Sequence, residues 1–290
     1  MNFVKYKNIS YIISLLLMAI TSVSLITKGL NYGIDFKGGY VLETHFKAKP
    51  VLKNVRESLE KLHIGEVSIQ QIGTDPSSLL IKLEHQEGVE ATNQISKVKA
   101  ALGDGVEYRQ IEIVGPKVGK ELIGNAIKAV ILTLLAMLIY VTIRFQWRYA
   151  VSAVVTLFYD CMMIVMLYTV FPLEFNESAI IGILITAGYS MNDTIVIFDR
   201  IRENLVRKPK LTTAELLNDS IKETLSRTTL TVLATLLSLC AMYFLGGPVI
   251  AAFSLPIIIG VLSGTYSSIF ISAPLLMTLG FSKKNIKEEF

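Results

Sequence analysis

Apolar residues fall along this 290-residue chain in six long runs, at about positions 9–27, 125–143, 150–171, 178–198, 228–245 and 254–279. Each approaches the ~20 residues that a helix needs to cross the hydrocarbon core of a bilayer. Between positions 28 and 124 the pattern changes. Residues 40–46, 67–72, 79–83 and 106–114 alternate like half-buried strands, while 51–62 and 89–102 repeat at helical spacing, with Val51, Leu52, Val55, Leu59 and Leu62 on one face of the first. Gly73-Thr74-Asp75-Pro76 signals a turn, and Gly103 ends the second helix. The order β-α-β-β-α-β is the ferredoxin-like pattern.

Composition agrees with a membrane chain. Apolar residues make up 52% and charged residues only 18%, against about 25% charge in a soluble domain. That argues against a secreted hormone, a disordered scaffold or a cytosolic enzyme. The net charge of +4 is too small to point to nucleic acid, so placement matters more than the sum. Fourteen of the 28 basic residues lie before the first run, between the second and third, between the fourth and fifth, and after the last, whereas 172–177 and 246–253 hold none. By the positive-inside rule both termini are cytoplasmic and the long polar segment faces outside. The first run continues apolar through Ile26, past the weak cleavage signal Ser22-Val23-Ser24, and reads as an uncleaved anchor.

The expected fold class is therefore an α-helical polytopic membrane protein, six transmembrane helices with one α+β ferredoxin-like extracytoplasmic domain between helices 1 and 2. Residues 1–28 form the first helix with a cytoplasmic N-terminus, 29–124 the outside domain, 125–281 a five-helix bundle and 282–290 a cytoplasmic tail.

The candidate chemistry lies in the membrane, where an ionisable residue is expensive and is by default a functional hypothesis. Asp193 joins Thr186, Tyr189, Ser190 and Asn192 in a polar stripe on the fourth run. Ser226-Arg227-Thr228-Thr229 opens the fifth, and Asp160 sits mid-run in the third beside Thr156 and Tyr159. A carboxylate balanced between desolvation and a nearby arginine can load a proton on one side and release it on the other. Asp193 and Arg227 read either as such a relay or as a buried structural pair and a snorkelling anchor. Gly260 and Gly264 form a small-residue packing pair, with Pro256 and Pro274 expected to bend the last helix near its ends. Gly33-Ile34-Asp35-Phe36-Lys37-Gly38-Gly39 reads as a tight join, its glycines at positive φ and Asp35 as a cap, or as a ligand site. His45, His63 and His85 share no metal-ligand spacing, Cys161 and Cys240 lie in apolar runs, and no phosphate-binding or catalytic motif occurs. No metal, cofactor or enzymatic reaction is expected, and an ion gradient is the candidate energy source.

Several segments, in order, carry a resemblance. They are Tyr32-Gly33-Ile34-Asp35-Phe36-Lys37-Gly38-Gly39, Val114-Gly115-Pro116-Lys117-Val118-Gly119-Lys120-Glu121-Leu122, Ile143-Arg144-Phe145-Gln146-Trp147-Arg148, the run from Gly188 through Asn192-Asp193-Thr194 to Asn204, Glu223-Thr224-Leu225-Ser226-Arg227-Thr228, and Gly264-Thr265-Tyr266-Ser267-Ser268-Ile269-Phe270. Together, over about residues 31–279, the chain resembles the SecF family of protein-export membrane subunits, within the resistance-nodulation-division superfamily. The resemblance implies a bacterial inner-membrane subunit that pairs with SecD and assists the SecY-SecE-SecG channel. It implies use of the proton-motive force to pull or release an emerging unfolded polypeptide. It also implies a proton path through Asp193 and Arg227, with Asn192 in the motif. Many members read His-Asp in the third span, where this chain has Tyr159-Asp160; a tyrosine does not titrate near neutral pH as that His does, and Asp160 remains as a further proton-relay candidate. A purely structural subunit and half of a small-molecule exporter are the competing readings.

Overall fold

The computed structural model describes residues 3–62, 64–65, 67–72, 75–84, 91–171 and 173–281. The expected tail at 282–290, His63, His85 and the first half of the turn at 73–76 lie outside the described residues. A single 3-10 turn, Val4–Tyr6, leads into α1 (Lys7–Lys28). The short helix α2 (Ile34–Lys37) precedes β1 (Gly39–Phe46), α3 (Leu52–Glu60), β2 (Val67–Gln71), β3 (Ser78–Glu84), α4 (Ala91–Leu102) and β4 (Val106–Val114). Then come α5 (Pro116–Arg144), α6 (Trp147–Val170), α7 (Glu177–Arg207), α8 (Thr213–Leu245), α9 (Gly247–Ser267), a π-helical stretch Ser268–Ser272 and α10 (Ala273–Thr278). Among the described residues six helical segments are long and apolar enough to cross a membrane, so the polytopic fold is as expected.

The sheet has the order β2-β3-β1-β4 with every neighbour antiparallel, the ferredoxin-like arrangement. Alternation sends Tyr40, Leu42, Leu79, Ile81 and Leu83 to one face, where they pack with Val55 and Leu59 of α3 and Val98 of α4. Gly39, the first residue of β1, pairs with Val114, the last of β4. Near the far end, His45 Nδ1 lies 3.0 Å from Ser78 Oγ and 3.3 Å from Asp75, whose carboxylate accepts from the Ser77 amide and the Ser78 hydroxyl.

Three expectations about helix ends need correction. α5 starts at Pro116, nine residues before its apolar run, because Pro116 with its fixed φ suits a first helical turn. The segment 246–253, expected as a loop, is helical from Gly247 onward. The polar stretch 199–227, expected as a connection, is mostly helix. α7 and α8 have 31 and 33 residues, or about 46 and 50 Å at ~1.5 Å per residue, well beyond a ~30 Å hydrocarbon core. The excess makes a hairpin closed by a Thr212–Glu215 capping box. Its inner face is apolar: Leu216, Leu217 and Ile221 of α8 join Ile197, Phe198 and Ile201 of α7 in one core cluster. Its outer face is ionic. Glu223 receives Arg200, Asn204 and Lys208, and Lys208 also reaches Asp219 at 3.1 Å. The Val4 amide donates to Asn218 Oδ1 at 3.1 Å, tying the start of the chain to this hairpin.

Candidate functional site

Residues four apart on a helix share a face, and α7 uses that face for its polar groups. Thr186, Ser190, Asp193 and Thr194 are all buried there. Opposite them runs a line of small residues on α9. A Cβ built on Gly260 would collide with the Thr186 side chain. One on Gly264 would stand 2.9 Å from Ser190 Cβ, and one on Gly182 of α7 would stand 2.9 Å from Pro256 Cβ. The three pairs, 182 with 256, 186 with 260 and 190 with 264, advance together, so α7 and α9 run parallel. Gly260 and Gly264 are thus where the backbone of α9 meets the polar stripe of α7, the close approach that small residues allow between membrane helices.

The seam holds Asp160 of α6, which is 0% exposed. Ser190 of α7 donates to its Oδ2, Ser267 of α9 donates to the same oxygen at 2.8 Å, and Ser263 of α9 donates to Oδ1 at 2.7 Å. One carboxylate therefore joins three helices. The neighbours expected from sequence do not serve it. Thr156 donates to the Ser152 carbonyl, and Tyr159 packs against Tyr266 and residues of α1. Just beyond Ser267, the helix widens to the π-helical turn 268–272, directly before Pro274, which lacks the N–H for the regular ladder. Ser152 donates to the Ser272 carbonyl there at 2.7 Å. Pro256 lies inside α9, which continues through it.

Asp193 stands apart from this cage. It is 3% exposed, and its Oδ2 is buried with no hydrogen-bond partner among the described residues. An unpartnered carboxylate oxygen in a helix bundle is costly to keep. Asn192, its neighbour, turns outward and lines an open cleft of about 1000 Å³ between α5, α7 and α8. Arg227 of α8 lines the same cleft with Arg144, Arg200, Glu203 and Glu223. Among the described residues Asp193 and Arg227 form no ion pair within 4 Å. Tyr189 bridges α7 to α8 through Thr235 at 2.8 Å.

The Gly33–Gly39 segment is a joint. The Gly33 amide donates to the Phe175 carbonyl at 2.9 Å, and the Phe175 amide to the Asn31 carbonyl at 2.7 Å, so the strand-like start pairs with the loop between α6 and α7. Phe36 packs with Tyr32, Phe175, Ile164 and Ile183. Gly119 of α5 leaves no room for a Cβ against the Phe36 carbonyl. Of the two adjacent glycines only Gly38 takes positive φ, at 87°. Gly39 lies in β1, where a Cβ would strike the Leu83 carbonyl. Asp35 is inside the first turn of α2 and does not cap it. Sequence reasoning gave no role as hydrogen-bond partners to Ser263, Ser267 or Glu223; their partners lie on other helices, and no local spacing announces them.

Known proteins share this plan. Residues 94–282 match the model of the family described as protein export membrane protein SecD/SecF, C-terminal, and residues 23–49 match the SecD/SecF GG motif. The protein translocase subunit SecF of Rickettsia felis is 38% identical over 290 residues, covering 99% of this chain and 94% of that protein. That of Rickettsia prowazekii is also 38% identical, over 99% of this chain and 93% of that protein. The crystal structure of SecDF from Thermus thermophilus, titled a translocon-associated membrane protein, superposes with a TM-score of 0.82 at 35% identity over 97% of this chain. SecDF in a super-membrane-facing form gives 0.74 at 34% identity. This chain spans 38% and 39% of those two longer chains. By family model, by near full-length identity and by fold, the chain belongs to the SecD/SecF family of protein export membrane proteins, as a multi-pass subunit of the SecF type.

Proposed function

We propose that the chain couples the proton-motive force to polypeptide export, as the partner of a SecD subunit beside the SecY-SecE-SecG channel of the bacterial inner membrane. Both termini and the α7–α8 hairpin are then cytoplasmic, and the sheet domain faces the emerging unfolded polypeptide. The observation that carries this reading is the buried, unpartnered Oδ2 of Asp193, one residue from a cleft that Arg227 shares. A proton taken up at Asp193 cancels a buried charge and gives that oxygen a hydrogen to donate. Either change alters which arrangement of α7 and α8 is lowest in free energy, and a ligand with different affinity for two states shifts their balance. Asp160, held by three serines, serves as the fixed point about which α6, α7 and α9 keep register. Pairing with SecD is supported by the extent of the SecDF matches and by α5 and α8, which bury only 6% and 17% of their most apolar windows within this chain. No enzymatic reaction is assigned.

The test is export of a reporter polypeptide into proteoliposomes holding the channel, SecA, SecD and this subunit, with and without an imposed proton gradient. Asp193→Asn is expected to abolish the gradient-dependent gain while leaving co-purification with SecD intact. Full stimulation in that variant refutes the coupling and leaves a structural subunit, in which only packing changes at Gly260 or Gly264 do harm.

A further inference from the structure

Two hollows meet at Tyr32, on the side of the membrane that carries the sheet domain. The first is a polar cleft of about 360 Å³ under the sheet, with Lys37, Lys82, Glu60, Glu84 and Glu174 in its wall. Lys82 lies on the sheet face opposite Leu79, Ile81 and Leu83. It is only 8% exposed and makes no hydrogen bond or ion pair among the described residues. Glu174, on the loop between α6 and α7, has its Oε2 buried without a partner among them. The second hollow is an apolar groove of about 280 Å³, lined by Phe36, Ile123, Ile127, Val130 and Ile131.

The Lys82 side chain is mostly buried with no ion-pair partner among the described residues, and a buried carboxylate oxygen without a partner in the same cleft is costly unless something supplies its counterpart. The wall holds three acids and two bases, so a simple anion is disfavoured. The fitting ligand carries an anionic group for Lys82 and a cationic hydrogen-bond donor for Glu174. Depth adds a second constraint. α1 ends at Lys28 and α7 begins at Glu177, so residues 31–37 and Glu174 lie level with lipid headgroups. The groove descends from there along α5, from Ile123 to Ile131, about 12 Å of helix at ~1.5 Å per residue. Its lining offers an acyl chain everything and a polar ligand nothing.

We propose that this joint binds one phospholipid with a zwitterionic, primary-amine headgroup, its phosphate on Lys82, its amine on Glu174 and an acyl chain in the groove beside α5. The lipid then forms part of the seat on which the sheet domain rests. The acids in the wall select the amine and exclude a purely anionic headgroup.

The experiment is native mass spectrometry of the full chain, released from vesicles of equal phosphatidylethanolamine, phosphatidylglycerol and phosphatidylcholine. The expected result is about tenfold preferential retention of one phosphatidylethanolamine. Lys82→Gln and Glu174→Gln each reduce that preference at least fivefold, Lys82→Arg preserves it, and Ala126→Trp, at the groove wall, removes retention of every lipid. Lys82→Arg separates loss of the contact from loss of the fold. Equal or greater retention of phosphatidylglycerol overturns the proposal, as does an unchanged preference in both headgroup variants. So does soluble O-phosphoethanolamine competing equally well in wild type and Ala126→Trp, which marks a headgroup site without a lipid. A chain assembled with its partner that retains no lipid because a protein helix fills the groove overturns it too.

Discussion

Substituting Gly260 with alanine perturbs the seam between α7 and α9 at its tightest point. The added Cβ enters the space of the Thr186 side chain, and the neighbouring pairs offer no slack, since the gaps at Gly264 and Gly182 are already 2.9 Å for a Cβ. The new Cβ would stand 2.6 and 2.7 Å from Thr186 Cγ2 and Cβ, against ordinary carbon contacts of ~3.5–4.0 Å, so the two helices have to part by roughly 0.8–1.4 Å. Overpacking of that order costs about 1–3 kcal/mol. The same parting stretches the Asp160 cage, because Ser190 and the pair Ser263 and Ser267 reach that carboxylate from opposite sides of the seam. A bond of 2.7 or 2.8 Å lengthened by ~0.8 Å or more is at or past the limit of hydrogen bonding. Losing one charged hydrogen bond adds about 1.5 kcal/mol or more. Gly260→Ala is therefore expected to lose about 2.5–4.5 kcal/mol in a reversible unfolding assay in mixed micelles. Gly188, on the same α7 but with nothing within 4 Å of a built Cβ, is the control. Gly188→Ala is expected to be neutral or to gain about 0.5 kcal/mol from lower backbone entropy. Thr186→Ala removes the two nearest obstructing atoms, so combining it with Gly260→Ala is expected to recover at least ~1 kcal/mol of the loss. If Gly260→Ala is as stable as Gly188→Ala, or if the double variant is additive, the seam does not set the spacing of these helices.

Other outcomes follow from the same geometry. Asp160→Ala leaves the buried Ser190 and Ser267 hydroxyls and the half-buried Ser263 hydroxyl without this acceptor and is expected to cost about 2–4 kcal/mol, whereas Asp160→Asn, which still accepts at one oxygen, loses less; unfolding in micelles distinguishes them. Glu223→Gln weakens contacts to Arg200, Asn204 and Lys208 together, and the hairpin is expected to lose roughly 1 kcal/mol, the screened end for exposed ion pairs, read as faster proteolysis between α7 and α8. In the sheet domain, the Ser77 amide and the Ser78 hydroxyl hold the Asp75 carboxyl below its ordinary value of 3.8, with His45 and Arg109 adding to the effect. A lowered folded value means that this contribution is complete above the ordinary value and vanishes as pH falls through the folded one. The protection factor of the Ser77 amide, taken against the intrinsic exchange rate at each pH, is therefore expected to fall in acid in the wild type, and to be low and independent of pH over that window in Asp75→Ala.

Run length and alternation were enough to place six membrane helices and the order of a four-stranded sheet, because both rest on burial patterns local to each element. Asp193 was readable as well, since a lone acid in an apolar run needs no partner to be noticed. The Asp160 cage was not. Its donors are 30, 103 and 107 positions away, and a serine in an apolar helix looks the same whether it packs or donates. The α7–α8 hairpin escaped for a different reason. Its charges made 199–227 look like a solvated link, yet Arg200, Glu203 and Arg207 pair at helical spacing and the apolar residues between them fill a core. Gly38 and Gly39 were correctly sensed as a constraint, but only one serves the turn; the other yields to a strand carbonyl visible only once β1 and β3 are paired.

The rung joining Gly39 to Val114 has a mechanical consequence. The polypeptide enters and leaves the sheet domain at that one rung, so both covalent attachments to the bundle converge at a single pivot. β4, with nine residues at ~3.3 Å each, makes a lever arm of about 30 Å from that pivot. A tilt of roughly 10° there carries the far end about 5 Å while the strands keep every ladder bond. Load applied at the far end is returned to the membrane through β2, which meets α9, and as torque on α2 and the first turns of α5, where Phe36 and Gly119 meet backbone to backbone. Stiffness at that bearing, more than stiffness of the sheet, sets how much of a pull on the domain reaches the helices below.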